Sequence, residues 1–334
     1  MSQTMTPLPV PHPDPLPGGE GEPPRARALI TAIKWLVCAI VIAYVAFALA
    51  SHIQRIDWRA VHFDLPYALA AGACVVLVTI SQIVAYRLLL AAYGSAPSWA
   101  QAATLSWLPA LGKYVPGKIA AITGTVYLLR RFKISAPVAL SVALMGDVLA
   151  VLTGLIVAAP LLRLPEIRAK LPGSWVWCAI VIAAALVCLW PPVFSALVNI
   201  VLKKLKRPPL TTVPRLSYYI LPVLAAGTQW FFWGLALWCT ARSVQIVSIA
   251  HLPAMICMIA LANTVGYLMI FAPGGIGVRE GILLGALLPI IGNVSAVVVL
   301  VLRLIQTIVE IGLAAIGIMI IKKQDMPTEV GTPG

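Results

Sequence analysis

Charge is scarce in this chain. Of 334 residues only 10% are charged, and 11 Asp or Glu stand against 24 Lys or Arg. A soluble globular domain carries about 25% charged residues and needs them to cover its core, so an ordinary soluble enzyme is excluded. Histidine is almost as sparse: His12, His52, His62 and His251 are the only four, none in H-E-x-x-H spacing, and no metal centre is expected. The six cysteines, Cys38, Cys74, Cys178, Cys188, Cys239 and Cys257, all sit inside apolar runs without C-x-x-C spacing. They read as small buried hydrophobes, neither disulfide partners nor zinc ligands. No cofactor is expected. A formal net charge of +13 raises nucleic acid as a partner, but the cations flank apolar runs and form no basic stripe with interleaved aromatics, so nucleic acid is not expected.

Apolar residues make up 61% of the chain, which points to an all-α polytopic membrane protein. Residues 1–28 hold eight prolines within the first 24 positions and lack the apolar core of a signal peptide, so a disordered cytoplasmic tail is expected there. Residues 29–322 form a single membrane domain, and 323–334 a cytoplasmic C-terminal tail. A bilayer core of about 30 Å takes about 20 helical residues. Six runs suffice, near 29–50, 66–92, 136–160, 174–200, 217–241 and 295–321. Two more regions are apolar but interrupted: 96–129 at Lys113-Tyr114-Val115-Pro116-Gly117-Lys118, and 252–291 at Pro273-Gly274-Gly275-Ile276-Gly277-Val278-Arg279-Glu280. The uncharged stretches 119–129 and 281–291 that follow reach only about 16 Å each, half a bilayer. Both regions are therefore expected to re-enter. The alternative is a pair of Pro-kinked spanning helices. Broken backbone at membrane depth must face protein or a wet cavity, which turns these breaks inward.

Loop charge favours re-entry. With the N-terminus inside, Arg25, Arg27, Lys34, Arg87, Arg130, Arg131, Lys133, Lys203, Lys204, Lys206, Arg207, Arg215, Lys322 and Lys323 fall on the cytoplasmic side. Only Arg55, Arg59, Arg163, Arg168, Lys170 and Arg242 fall outside. The half-repeats, about 29–162 and 174–322, then have inverted topology. Setting Pro116 on Pro273 also matches Gly117 with Gly274, Ile119 with Ile276 and Gly124 with Gly281. Paired broken segments in corresponding halves point to a transporter's binding site.

Two soluble motifs are only partly matched. Gly112 to Ile119 has the spacing of a phosphate-binding loop, but Ile119 stands where Ser or Thr must hold Mg²⁺. Gly275-Ile276-Gly277 opens a dinucleotide fingerprint whose third glycine, Gly281, comes one residue late. The informative residues are ionisable ones at membrane depth: Lys113, Lys118, Asp147, Arg279, Glu280, Arg303 and Glu310. Each is costly there unless paired or wet. Four cations against three anions suit an anionic or phosphate-bearing head group approached by glycine backbone. Against this stands simple pairing, Asp147 with Arg303, and Glu280 stabilising the start of the following helix. Trp58, Trp99, Trp175 and Trp177 read as interfacial anchors, and Gly281 with Gly285 as a close-packing G-x-x-x-G.

The stretches LGKYVPGKIAAITGTVYLLRRFKIS and FAPGGIGVREGILLGALL, with VLVLRLIQ around Arg303, resemble the lysylphosphatidylglycerol synthase transmembrane region, also called the flippase-like integral membrane family. The resemblance spans about residues 29–322. It implies an inner-membrane protein that moves lipids or lipid-linked head groups between leaflets. By position it favours Lys113, Pro116, Gly117, Lys118, Pro273, Gly274, Gly275, Gly277, Arg279, Glu280 and Arg303. The soluble aminoacyl-transferase domain of the full synthases is not expected here, and the expectation is a non-enzymatic flippase. The alternative is a non-transporting membrane partner of a lipid-modifying enzyme or glycosyltransferase, with the basic loop 203–215 as its docking or anionic-lipid surface.

Overall fold

A computed structural model describes residues 63–92, 97–111, 128, 132, 136–163, 173–204, 209, 216–269 and 277–325. The expected run 29–50, the first break with Lys113, Pro116, Gly117 and Lys118, and Pro273, Gly274 and Gly275 of the second lie outside these residues. Among the described residues there is helix and no strand. In chain order they form α1 (Leu65–Ala92), α2 (Trp99–Leu111), α3 (Ala136–Ala158), α4 (Ser174–Leu189), α5 (Pro191–Lys204), α6 (Leu216–Val244), α7 (Leu252–Leu268), α8 (Val278–Ile291) and α9 (Ser295–Asp325).

Five stretches are long and apolar enough to cross a membrane: 65–92, 145–163, 219–244, 249–268 and 278–322. The last of these doubles back. Glu280 meets Arg303 at 3.5 Å, whereas one straight helix would hold them about 35 Å apart. The reversal falls at the 3₁₀ turn Gly292–Val294, where Gly292 takes a φ of +60°. So α8 runs antiparallel to the first half of α9, and the 31 residues of α9, about 46 Å of helix, are long enough to cross by themselves.

The run 174–200, expected as one straight span, is two helices bent by 81° at Trp190. The cause is local. Pro191 and Pro192 have no N–H to continue the α4 ladder, yet proline's fixed φ suits the first turn of a new helix. At α2 the start is conventional: Ser98 caps it, with Gln101 N–H donating to Ser98 Oγ (3.2 Å) and Ser98 N–H to Gln101 Oε1 (2.9 Å).

Helices α1 and α6 form the central pair and run antiparallel. Asp64 N–H donates to Ser243 O at one end (2.8 Å), and Gln82 Nε2 donates to Gln229 Oε1 farther along (3.0 Å). The thiols of Cys74 and Cys239, both free, are hydrogen-bonded across the same seam. Around this pair, α2 packs on α1 and α9, while α7 packs on α6 and α3. In addition α9 touches both α1 and α6, and so does α3. Exchanging α1 with α6, α2 with α7 and α3 with α9 maps every one of these contacts onto another. Close approach depends on small residues, as apolar helices in lipid require. A Cβ on Gly154 would strike Thr264 Oγ1 and the Trp230 ring, and one on Gly234 would lie 2.6 Å from Ile256 Cα. Gly285 behaves otherwise than its G-x-x-x-G spacing implies, because it is exposed and a Cβ there meets nothing within 4 Å.

The two ends of the bundle differ in charge. The end holding Tyr86, Leu89 and Leu90 of α1, Tyr219 of α6 and Ile321 of α9 carries Arg87, Lys203, Lys204 and Lys322. The end holding Val244, Leu161 and Val247 carries Arg163, Arg242 and Asp64.

Candidate functional site

The second break ends in a tight backbone turn. Gly277 has a φ of +92°, a region closed to side chains at ordinary cost, and its N–H donates to Glu280 Oε2 at 2.7 Å. That bond starts α8 at Val278. Arg279 and Glu280, expected within the break, are instead the first helical turn, with the Glu280 carboxylate at the positive end of the helix dipole.

These two side chains meet a polar stripe on α9. Arg303, Gln306 and Glu310 recur at spacings of three and four, so they share one helix face. Arg303 Nε pairs with Glu280 Oε1 (3.5 Å), the ion pair seen at Arg303. Arg279 Nη1 donates to Gln306 Oε1 (2.9 Å), and Arg303 Nη1 approaches the same oxygen at 3.5 Å. Gln306 Nε2 then donates to Glu310 Oε1 at 2.7 Å. Arg279 is 6% exposed, its guanidinium 4.8 Å from the centroid of the Trp233 ring on α6. Gln306, 3% exposed, is the hub joining both arginines to Glu310.

The cluster contains two arginines and two glutamates, so its formal charges cancel. The surplus of cation read in the sequence rests on Lys113 and Lys118, outside the described residues. The cluster sits well below the helix ends: Arg303 is about 12 Å along α9 from its start and about 28 Å from Lys322.

Asp147 occupies a different setting. It is exposed although it lies in the middle of α3, between the buried Met145 and Leu149. It is within electrostatic reach of Tyr86 on α1 and Tyr267 on α7, and Tyr267 is in turn within reach of Arg279 and Glu310. Tyr267 is thus within electrostatic reach of both the exposed carboxylate and the network.

Sequence reasoning had not singled out Gln306, Trp233 or Tyr267. Gln306 carried a readable signal, since it completes the polar row of Arg303 and Glu310 within an otherwise apolar helix. Trp233 and Tyr267 carried none, because aromatic residues on apolar helices mark lipid, core and site alike. Among the described residues no group of His, Cys, Asp and Glu is arranged to hold a metal ion. Compared with known proteins, the chain matches no family model and no curated protein.

Proposed function

We propose that the chain is an inner-membrane flippase-like protein that moves a lipid or lipid-linked anionic head group between leaflets, with both termini cytoplasmic. The observation that carries this is the Arg279–Glu280–Arg303–Gln306–Glu310 network, with Arg279 and Gln306 buried and the other three half-buried, formed where the first turn of α8 meets α9 partway along its length. Ionised groups at membrane depth mark a pathway more often than a scaffold, because an apolar contact would hold the helices at lower cost. The resemblance of both broken segments to the flippase-like family supports a lipid as the passenger. The charge contrast between the bundle's ends supports the orientation, the end with Arg87, Lys203, Lys204 and Lys322 being cytoplasmic.

In this reading α7 and α8 are the arms of a re-entrant hairpin, and region 96–129 is its counterpart in the other half. The antiparallel α1–α6 pair and the exchange pattern around it support inverted repeats, since an axis in the membrane plane makes corresponding helices antiparallel. An arriving phosphate competes with Glu280 for Arg303 in a charge-assisted exchange, which adds an anion to a cluster that is neutral without it. Lys113 and Lys118 supply the added positive potential, and Asp147 is the exposed carboxylate that takes up a proton.

The test is head-group translocation in proteoliposomes containing this protein alone, using a fluorescent anionic lipid and an impermeant quencher. Transport above protein-free vesicles, lowered by Arg279→Ala and Lys118→Ala in variants that still insert, is expected. Equality with protein-free vesicles refutes it. The charge balance of the cluster favours one second reading, a non-transporting partner of a lipid- or glycan-modifying enzyme in which these residues only brace α8 on α9. That reading predicts no transport but co-purification of the enzyme.

A further inference from the structure

We propose that α5 lies in the plane of the membrane and that its lysine-bearing end binds the head groups of anionic phospholipids. This is independent of whether the protein transports anything. The placement follows from packing. Phe194, Val198 and Leu202, one row at a spacing of four, are buried, and they join a cluster with Leu89 and Leu90 at the end of α1 and Tyr219 at the start of α6. The Phe194 and Tyr219 rings are 5.3 Å apart. A helix whose buried row clusters with the end of one central helix and the start of its antiparallel neighbour, and that is bent 81° from α4, crosses the bundle's end rather than continuing along it.

The outward face fits an amphiphile better than water. Pro192, Ala196 and Ile200 are exposed in a row, Ile200 to 56%, and the row ends at exposed Lys203 and Lys204. Trp190, 55% exposed, sits at the bend where an interfacial aromatic belongs. An apolar row leading to paired cations matches acyl chain followed by phosphate, the arrangement of a helix at the head-group boundary. A free anion would gain nothing from Ile200, and a soluble acidic partner nothing from facing a bilayer. No carboxylate competes nearby in sequence: from Glu166 to Glu280 the chain has no Asp or Glu, and Lys206 and Arg207 follow directly.

The full chain in nanodiscs, of phosphatidylcholine alone or mixed with phosphatidylglycerol, provides the test. Amine-reactive labelling is read by peptide mass spectrometry, and retained lipid by native mass spectrometry. Phosphatidylglycerol should slow labelling of Lys203 and Lys204 more than that of Lys322, which shares their end of the bundle. Each Lys→Gln change should lower retained phosphatidylglycerol roughly fivefold, while Lys203→Arg and Lys204→Arg keep it. Both lysines are exposed, so their removal does not threaten the fold, and unchanged thermal unfolding verifies that. Equal slowing at Lys322 reduces the effect to general surface potential and overturns the site. So does retention of phosphatidylglycerol by the double Gln variant, or protection by inorganic phosphate in phosphatidylcholine discs, which would make the ligand a free anion. None of these readouts depends on translocation.

Discussion

Helix α9 carries Arg303, Gln306 and Glu310, every one of them engaged with α8 or with its neighbour on the stripe. Its counterpart in the exchange of packing partners, α3, carries Asp147 as its one ionisable residue, and that residue is exposed. Matching positions in the architecture thus hold a partly buried polar network on one side and an exposed carboxylate on the other. A buried network is anchored by what it loses when broken; an exposed carboxylate stays hydrated and loses little when changed. The two should therefore fail in opposite ways, one through stability and the other through activity alone.

The largest effect is expected in the network. Glu280→Ala leaves Arg303 without its ion pair and Gly277 N–H without its acceptor, and should destabilise by about 3–5 kcal/mol, read by thermal unfolding in detergent. Arg303→Met should cost a similar amount, and the double change clearly less than the sum. Strict additivity would show that the pair is not coupled.

Next comes helix packing. Gly234→Ala drives a methyl group against the Ile256 backbone and should cost about 1–3 kcal/mol, whereas Gly285→Ala meets open space and should cost nothing measurable. A smaller loss, about 1–2 kcal/mol, is expected for Gly277→Ala, which forces a side chain into positive φ. Circular dichroism melting of the three glycine variants ranks them directly. The smallest stability change belongs to Asp147→Asn, within about 0.5 kcal/mol, yet under the proposed function it should abolish pH-dependent transport in proteoliposomes. If Asp147→Asn instead unfolds the protein, the contrast between the halves is lost.

Much of the fold was legible because hydropathy reports helices directly. The runs 66–92 and 217–241 became α1 and α6 with small shifts at their ends, and the interruption before Arg279 was a true helix break. Two things were hidden for physical reasons. Uninterrupted apolarity across 174–200 concealed a right-angled bend, although Pro191-Pro192 stood in plain view; proline begins a helix as readily as it ends one. From sequence Arg279 and Glu280 fall in the break, with Glu280 at the start of the following helix only as the competing reading, because charge in a sequence does not distinguish a carboxylate in water from one capping its own helix. In the site, charges announce themselves singly, while the partner that joins them, Gln306, is neutral and became visible only as the third member of a helical row.

The shortness of α4 has a consequence for the surrounding lipid. Trp175 and Trp177 near its start and Trp190 just past its end, all exposed, are separated by about 20–22 Å of helix, and beyond Trp190 the chain turns sideways into α5. A bilayer core of about 30 Å that met this apolar face would have several ångströms to spare, and would relieve the mismatch by thinning against it. Lipids beside α4 would then occupy the thinnest patch of membrane around the protein, where the distance between opposing head-group layers, and with it the barrier to exchanging them, is least.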